Sequence, residues 1–285
     1  MIYTTYDDMA GCIRRNIWKV PPDVELIVGV PRSGMIAALM IAELLNKRCV
    51  SLDDFVEGRL MQCGGRGRLI RNNKEGKVLV VDDTVFFGNA MRKARERLKV
   101  MDGRYDIVYG CVYAEGQRAK ETVDIYFEEN YRAGEAWYYY EWNILHHYGK
   151  RTQTMMWDID GLICKDPPDE RNCKAYEAYL PQAIPMIIPT TTIGALVTYR
   201  LEKYRSVTEA WLMAHGVEYG ELMMFPSMDR EERNHRLGSA QYKAQIYGNA
   251  PWAQLFYESS AKQAETIHRL TGKPVWCYEN GKMWQ

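Results

Sequence analysis

The sequence has no excess of either charge: lysine plus arginine and aspartate plus glutamate each total 37. A chain without a net field offers nothing general to a nucleic-acid backbone or an acidic membrane surface, so any polyanion must be held locally. There is no CxxC pair among its 7 cysteines. Scattered thiols at Cys12, Cys49, Cys63, Cys111, Cys164, Cys173 and Cys277 suit a reducing compartment and argue against a disulfide framework or a zinc site. No apolar run approaches the roughly 20 residues of a membrane-spanning helix, and the opening MIYTTYDDMAGCIRR lacks the apolar stretch of a secretory leader. Internal repeats and low-complexity tracts are missing as well. These absences predict a soluble cytoplasmic protein with no membrane partner and no strong nucleic-acid signal.

What is present is length and alternation. At 285 residues the chain has room for two ordinary domains. VELIVGV (24–30), CVSL (49–52), KVLVVDD (77–83), YDIVYGCVYA (105–114) and TVDIYF (122–127) are apolar runs, interleaved with helix-like SGMIAALMIAELLN and NAMRKARERLKV. Such alternation predicts a parallel sheet covered by helices, with ligands at the carboxyl ends of the strands. The glycine- and arginine-rich segment 57–76 has no apolar period and reads as a long surface loop, a type often used as a lid. After the aromatic AWYYYEWNILHHYGK the pattern restarts near Thr152. TMMWDID, IGALVTYR (193–200), AQLFYESS and KPVWCYENG read as strands, and LEKYRSVTEAWLMAHG and AKQAETIHRLTG as helices. In the first of these helices Leu201, Tyr204, Thr208, Trp211 and Leu212 would share a face, with Gly216 as its stop. The expected fold class is α/β: two Rossmann-like three-layer domains with mainly parallel sheets, over 1–148 and 152–285.

Two strand–loop–helix junctions in the first half carry ligand chemistry. In VLVVDDTVFFGNAM (78–91) a strand runs into Asp82 and Asp83, followed by Thr84, Gly88, Asn89 and a helix. Two carboxylates can accept from vicinal ribose hydroxyls, and amides at the turn can hold a phosphate. Alone, the acid pair would as readily end a strand and cap a helix. In VGVPRSGMIAA (28–38), Pro31, Arg32, Ser33 and Gly34 form a second tip whose amides and guanidinium suit a pyrophosphate, though alone it is an ordinary turn. In this order the two junctions resemble type I phosphoribosyltransferases over roughly residues 1–148. The resemblance implies a pyrophosphate loop at Val30–Gly34, a PRPP loop at Asp82–Ala90 and a catalytic loop in the glycine- and arginine-rich segment. It further implies that Mg²⁺-PRPP is bound and its pyrophosphate displaced by a base nitrogen, through a cationic transition state that nearby anions would stabilise. GEAWYYYEWN (134–143) is similar to the aromatic strand near the base site of xanthine-guanine and related purine phosphoribosyltransferases, where Trp137 would stack on a purine or simply form a buried edge strand. One departure stands out: the Thr-Gly-x-Thr/Ser expected after the acids reads Phe87-Gly88-Asn89-Ala90, without either hydroxyl.

The second half opens with MMWDIDGLICKDPPDE, in which Asp158 and Asp160 end an apolar strand two residues apart. Period-two geometry aims both carboxylates the same way, around a hard cation or a phosphoryl group. One can attack phosphorus while the other handles protons. A lone DxDG also occurs in calcium loops and plain turns. Taken with Thr198 at the end of ALVT, Lys243, and Glu258 at the end of AQLFYE, the set resembles the haloacid dehalogenase (HAD)-type phosphatases over about 152–285. The resemblance implies Asp158 as nucleophile, Asp160 as acid and base, Thr198 and Lys243 on the phosphoryl group, and Mg²⁺ on Asp158, Asp160 and Glu258. Glu258 is followed by two serines where the family often has a second acid. The interval from Asp160 to Thr198 is too short for a large helical cap, leaving substrate choice to small loops such as 165–181 or to a partner. Adjacent His146 and His147 in an aromatic stretch read as packing or surface residues rather than metal ligands.

Together these readings imply a bifunctional enzyme of nucleotide metabolism, with Mg²⁺ as cofactor. Its small-molecule partners would be PRPP or a nucleotide, a base, and a phosphorylated substrate. A reading of a different class makes the first domain a nucleotide sensor or scaffold that has lost turnover, inside an oligomer or a stress or phage-defence assembly.

Overall fold

The apolar runs of the first half are continuous rather than alternating because their strands are covered on both faces. In the computed structural model the described residues are 1–59, 76–101, 103–130, 138–146, 149–168 and 173–285. Most of the glycine- and arginine-rich loop, Trp137, Cys63 and His147 lie outside them. The chain divides into a unit of Ile2–Trp142 and a unit of Asn143–Gln285, Met1 counting with the second.

In the first unit, strands β2 (Val24–Gly29), β3 (Arg48–Ser51), β4 (Lys77–Val85), β5 (Asp106–Ala114) and β6 (Ile125–Glu129) form one parallel sheet in the order β3-β2-β4-β5-β6. A separate parallel pair joins β1 (Ile2–Thr4) to β7 (Tyr138–Tyr140). The helices are α1 (Tyr6–Asn16), α2 (Gly34–Leu45), α3 (Leu52–Val56), α4 (Asn89–Leu98) and α5 (Gln117–Lys120). Along β4, Val78 and Val80 enter one core with Met91 and Leu98, while Leu79 and Val81 enter the other with Met9 and Ile41. Each such buried side chain contributes about 1.5–3 kcal/mol. From β2 the chain turns to β3 on one side and then crosses to β4 on the other. The switch point therefore opens between β2 and β4, where the two sequence junctions end.

In the second unit, β8 (Met155–Trp157), β9 (Ile193–Leu201), β10 (Tyr219–Phe225), β11 (Leu255–Glu258), β12 (Val275–Cys277) and β13 (Met283–Trp284) run in the order β10-β9-β8-β11-β12-β13, parallel except for β13. Helices α6 (Cys173–Tyr179), α7 (Arg205–Ala214), α8 (Arg230–Arg236), α9 (Ser239–Gly248) and α10 (Ala261–Thr271) connect them. Here the switch point falls between β8 and β11. Both units are thus α/β with mainly parallel sheets. Leu201, expected on a helix face, instead ends β9, and α7 begins four residues later with Thr208, Trp211 and Leu212 buried. The edge strand β10 has no counterpart in the sequence reading, because one exposed side lets Glu221 interrupt its apolar pattern. No helix among the described residues is long and apolar enough to cross a membrane.

Candidate functional site

At the first switch point β4 delivers Asp82 and Asp83, both buried. The Val30 amide donates to the Val81 carbonyl at 2.9 Å, which ties the start of the Pro31–Gly34 loop to β4. Gly34 then passes so close to Asp82 that a β-carbon on it would lie 2.8 Å from Asp82 Oδ1 and 3.0 Å from the Val81 carbonyl oxygen. The two loops singled out in the sequence are therefore neighbours. Pro31 and Arg32 are exposed and Ser33 half-buried, with no side-chain cap on α2 from the Ser33 hydroxyl. Burial, reinforced by the negative charge of Asp83, pushes the Asp82 carboxyl well above the ordinary carboxylate range. Asp83 accepts a 2.6 Å hydrogen bond from Trp142 Nε1. Trp142 in turn stacks on Tyr113, with centroids 6.5 Å apart. Trp142 is a site residue that the sequence reading missed, hidden in an aromatic run where Trp137 drew attention.

Thr84 continues β4 in register with Tyr113. Beyond it the chain turns through Gly88, whose φ of 72° opens α4 in the left-handed region. A β-carbon there would strike Thr122 at 2.5 Å, so the turn packs hard against the 117–122 segment. Asn89 begins the helix, exposed, and its Oδ1 accepts from Arg92 Nη2.

At the second switch point, Asp158 leaves β8 with its amide donating to the Tyr257 carbonyl of β11 at 2.9 Å. Lys243, on α9, is 2 % exposed. Its Nζ lies 2.7 Å from Asp158 Oδ2 and 2.8 Å from Glu258 Oε2. Asp158 Oδ1 accepts from the Ile159 amide at 2.9 Å. Glu258 Oε1 accepts from the Ser259 and Ser260 amides at 2.9 and 3.1 Å. The Ser259 hydroxyl is within reach of both acids, 3.2 Å from Asp158 Oδ2 and 3.1 Å from Glu258 Oε1. Burial raises the Asp158 carboxyl, Glu258 adds to the rise, and Lys243 opposes it. For Lys243, burial alone would lower the ammonium, but the two carboxylates outweigh it and hold it above the ordinary lysine range.

Asp160 is held separately. Arg200, 2 % exposed, grips it with two parallel bonds: Nη2 to Oδ1 at 2.6 Å and Nε to Oδ2 at 3.0 Å. Arg200 also reaches Thr208 Oγ1 at 3.2 Å, and its own amide donates to Thr198 Oγ1 at 3.2 Å. Thr198 is fully buried within β9, three residues short of its end rather than at the strand end expected from ALVT. Asp158, Lys243 and Glu258 are thus in direct contact, with Asp160 and Thr198 linked to each other through Arg200. Sequence reasoning missed Arg200, and met Ser259 only as one of the two serines after Glu258. Arg200 shares a strand face with Thr198 by period two, which is the signal that would have found it.

The expected Mg²⁺ fits this arrangement poorly. Every carboxylate oxygen of Asp158, Asp160 and Glu258 already accepts from a donor of the chain, and Lys243 stands between two of the acids where a cation would bridge them. Among the described residues no group of three or more His, Cys, Asp or Glu side chains is placed to hold a metal ion.

No family model matches the chain, and no curated protein does. Solved structures do, over half of it. It is similar to a xanthine-guanine-hypoxanthine phosphoribosyltransferase of Helicobacter pylori, at 16 % identity over 50 % of this chain and 93 % of that one, with a TM-score of 0.38. A purine phosphoribosyltransferase of Pyrococcus horikoshii matches at 18 % over 50 % and 92 %, with a TM-score of 0.35. A hypothetical protein of Neisseria gonorrhoeae with bound ppGpp matches at 17 % over 50 % and 88 %, with a TM-score of 0.36. These likenesses span half of the chain and none is to a phosphatase, so the phosphatase reading rests on this chain's own residues.

Proposed function

We propose that the protein is a two-site enzyme of nucleotide metabolism. The Ile2–Trp142 unit binds PRPP or a 5′-nucleotide and makes or breaks the bond between ribose and base. The Asn143–Gln285 unit removes a phosphate through an aspartyl-phosphate on Asp158. The observation that carries this reading is common to both units: buried carboxylates stand at the carboxyl ends of the strands flanking a switch point, where open α/β sheets bind their ligands.

In the first unit Asp82 and Asp83 accept from the two ribose hydroxyls, Trp142 fixing Asp83. Amides of the 30–34 loop and Arg32 take the pyrophosphate, and the acid pair faces the positive charge that develops on the ribose as the bond to the leaving group breaks. In the second unit Asp158 attacks phosphorus, forming one P–O bond as the bond to the leaving oxygen breaks. Lys243 favours the ionised form of this nucleophile. Asp160, oriented by Arg200, exchanges protons with the leaving oxygen and then with the attacking water.

The test incubates the full chain with PRPP, Mg²⁺ and a panel of bases, following pyrophosphate and inorganic phosphate separately. The wild type releases both. Asp82→Asn/Asp83→Asn loses pyrophosphate release but still dephosphorylates added nucleotide, whereas Asp158→Asn accumulates that nucleotide. Undiminished pyrophosphate release in the first variant, or undiminished phosphate release in the second, overturns the respective assignment.

A sensor or scaffold reading of the first unit is favoured by one feature, the Phe87-Gly88-Asn89-Ala90 turn without hydroxyls. Ligand binding without any pyrophosphate exchange is its signature in the same assay.

A further inference from the structure

The turn that lacks both expected hydroxyls opens onto a cleft of about 480 Å³ lined by Phe87, Asn89, Arg92, Arg118, Glu121 and Thr122. Arg92 stands one helical turn into α4, and its Nη2 donates to Asn89 Oδ1, which draws the guanidinium back toward the start of the helix. Arg118 belongs to α5, and the close packing of Gly88 on Thr122 brings that segment beside the turn. Neither guanidinium is paired with a carboxylate among the described residues, unlike Arg95 and Arg97 on the same helix α4, which bind Asp124 and Asp53. Two guanidiniums against the single carboxylate of Glu121 leave the lining net positive. The Thr122 hydroxyl is spent on the Ala119 carbonyl at 2.8 Å, so it replaces neither missing hydroxyl. Phe87, half exposed, supplies an apolar wall against which a sugar carbon can rest.

We propose that Arg92 and Arg118 form the phosphate subsite of the first unit, taking the 5-phosphate of a pentose phosphate in place of the two absent loop hydroxyls. This rests on the reading that the 84–90 turn faces the ligand's phosphate, and it names the side chains that hold the charge. Guanidiniums bind phosphate through bonds in which both partners are ionised, often bidentate, and bring a full positive charge that a hydroxyl lacks. A turn stripped of hydroxyls therefore keeps its affinity, and acquires a stronger dependence on salt.

The test measures binding of ribose 5-phosphate, PRPP and unphosphorylated ribose to the full chain by calorimetry, at low and moderate salt. Arg92→Gln/Arg118→Gln weakens the two phosphorylated ligands by on the order of 10²-fold, flattens their salt dependence and leaves ribose unchanged. Arg92→Lys/Arg118→Lys, which keeps the charge, recovers part of the loss. Both arginines are exposed, so the substitutions leave the core intact. Wild-type affinity in the Gln variant, with loss only in Asp82→Asn/Asp83→Asn, overturns the subsite while leaving the proposed function standing. No loss in either variant, or no binding of ribose 5-phosphate by the wild type, overturns both.

Discussion

Replacing Lys243 with methionine removes a charge while keeping most of the volume. Lys243 lies 2.7 and 2.8 Å from two carboxylates that are themselves almost wholly buried. Without it, Asp158 and Glu258 would share a dry site with no cation, and one must take up a proton. Neutralising a carboxyl of ordinary value near 4 at about pH 7 costs roughly 4 kcal/mol. Deleting one partner of a buried ion pair gives a similar figure, about 3–5 kcal/mol. At about pH 5 the same neutralisation costs only about 1.4 kcal/mol. The sign follows from linkage: burial and Glu258 already hold the Asp158 carboxyl above its unfolded value, and removing the ammonium that opposes them raises it further, so stability is fullest below the unfolded value and is lost, more steeply in the variant, as pH rises. Urea unfolding of both full-length proteins at the two pH values measures this. The deficit of Lys243→Met should shrink by roughly 2–3 kcal/mol on acidification, and adding Glu258→Gln should restore part of it at neutral pH. A deficit below about 1 kcal/mol at both values would place the ammonium in water. A large deficit independent of pH would mean that one acid already carries a proton in the wild type. Either result refutes the charged triad.

Two further perturbations address the first unit. Burial and Asp83 raise the Asp82 carboxyl above its unfolded value, so the stability it allows is present at low pH and lost as pH rises; Asp82→Asn should be more stable than wild type by about 1–3 kcal/mol near neutrality, converging below about pH 4, while ligand affinity falls. Thermal unfolding across pH reads this, and equal melting temperatures at neutral pH would contradict it. Gly34→Ala puts a β-carbon 2.8 Å from Asp82 Oδ1 and 3.0 Å from backbone atoms of Val81 and Asp82. It should cost about 1–3 kcal/mol and weaken PRPP or nucleotide binding, and unchanged affinity by calorimetry would show that the loop and the acids act independently.

The sequence by itself determined the elements and the ends of strands at which chemistry is concentrated. The short, valine-rich run Val78–Val81, bounded by acids and a glycine-bearing turn, reads as a strand covered on both faces that delivers those acids at one edge of its sheet. The same logic put Asp158 and Glu258 at strand ends, whereas Thr198, expected at one, lies inside β9. These are local consequences of period and turn chemistry, written in contiguous residues.

The tertiary structure decided who meets whom. Lys243 meets Asp158 and Glu258 because α9 turns this residue inward, and the short pattern YKAQ around it does not say which face is covered. Asp160 meets Arg200 across 40 positions, and Asp83 meets Trp142 across 59. Each partner is ambiguous in sequence, since an arginine within a strand or a tryptophan in an aromatic run fits many environments. Likewise β10 escapes the sequence pattern because, at the edge of its sheet, exposed residues such as Glu221 break its apolar run. Strand order, which sends the chain to opposite sides of β2 in one unit and of β8 in the other, creates the two switch points. That order is fixed by which crossovers bury the most apolar surface, a property of the whole unit and not of any stretch of residues.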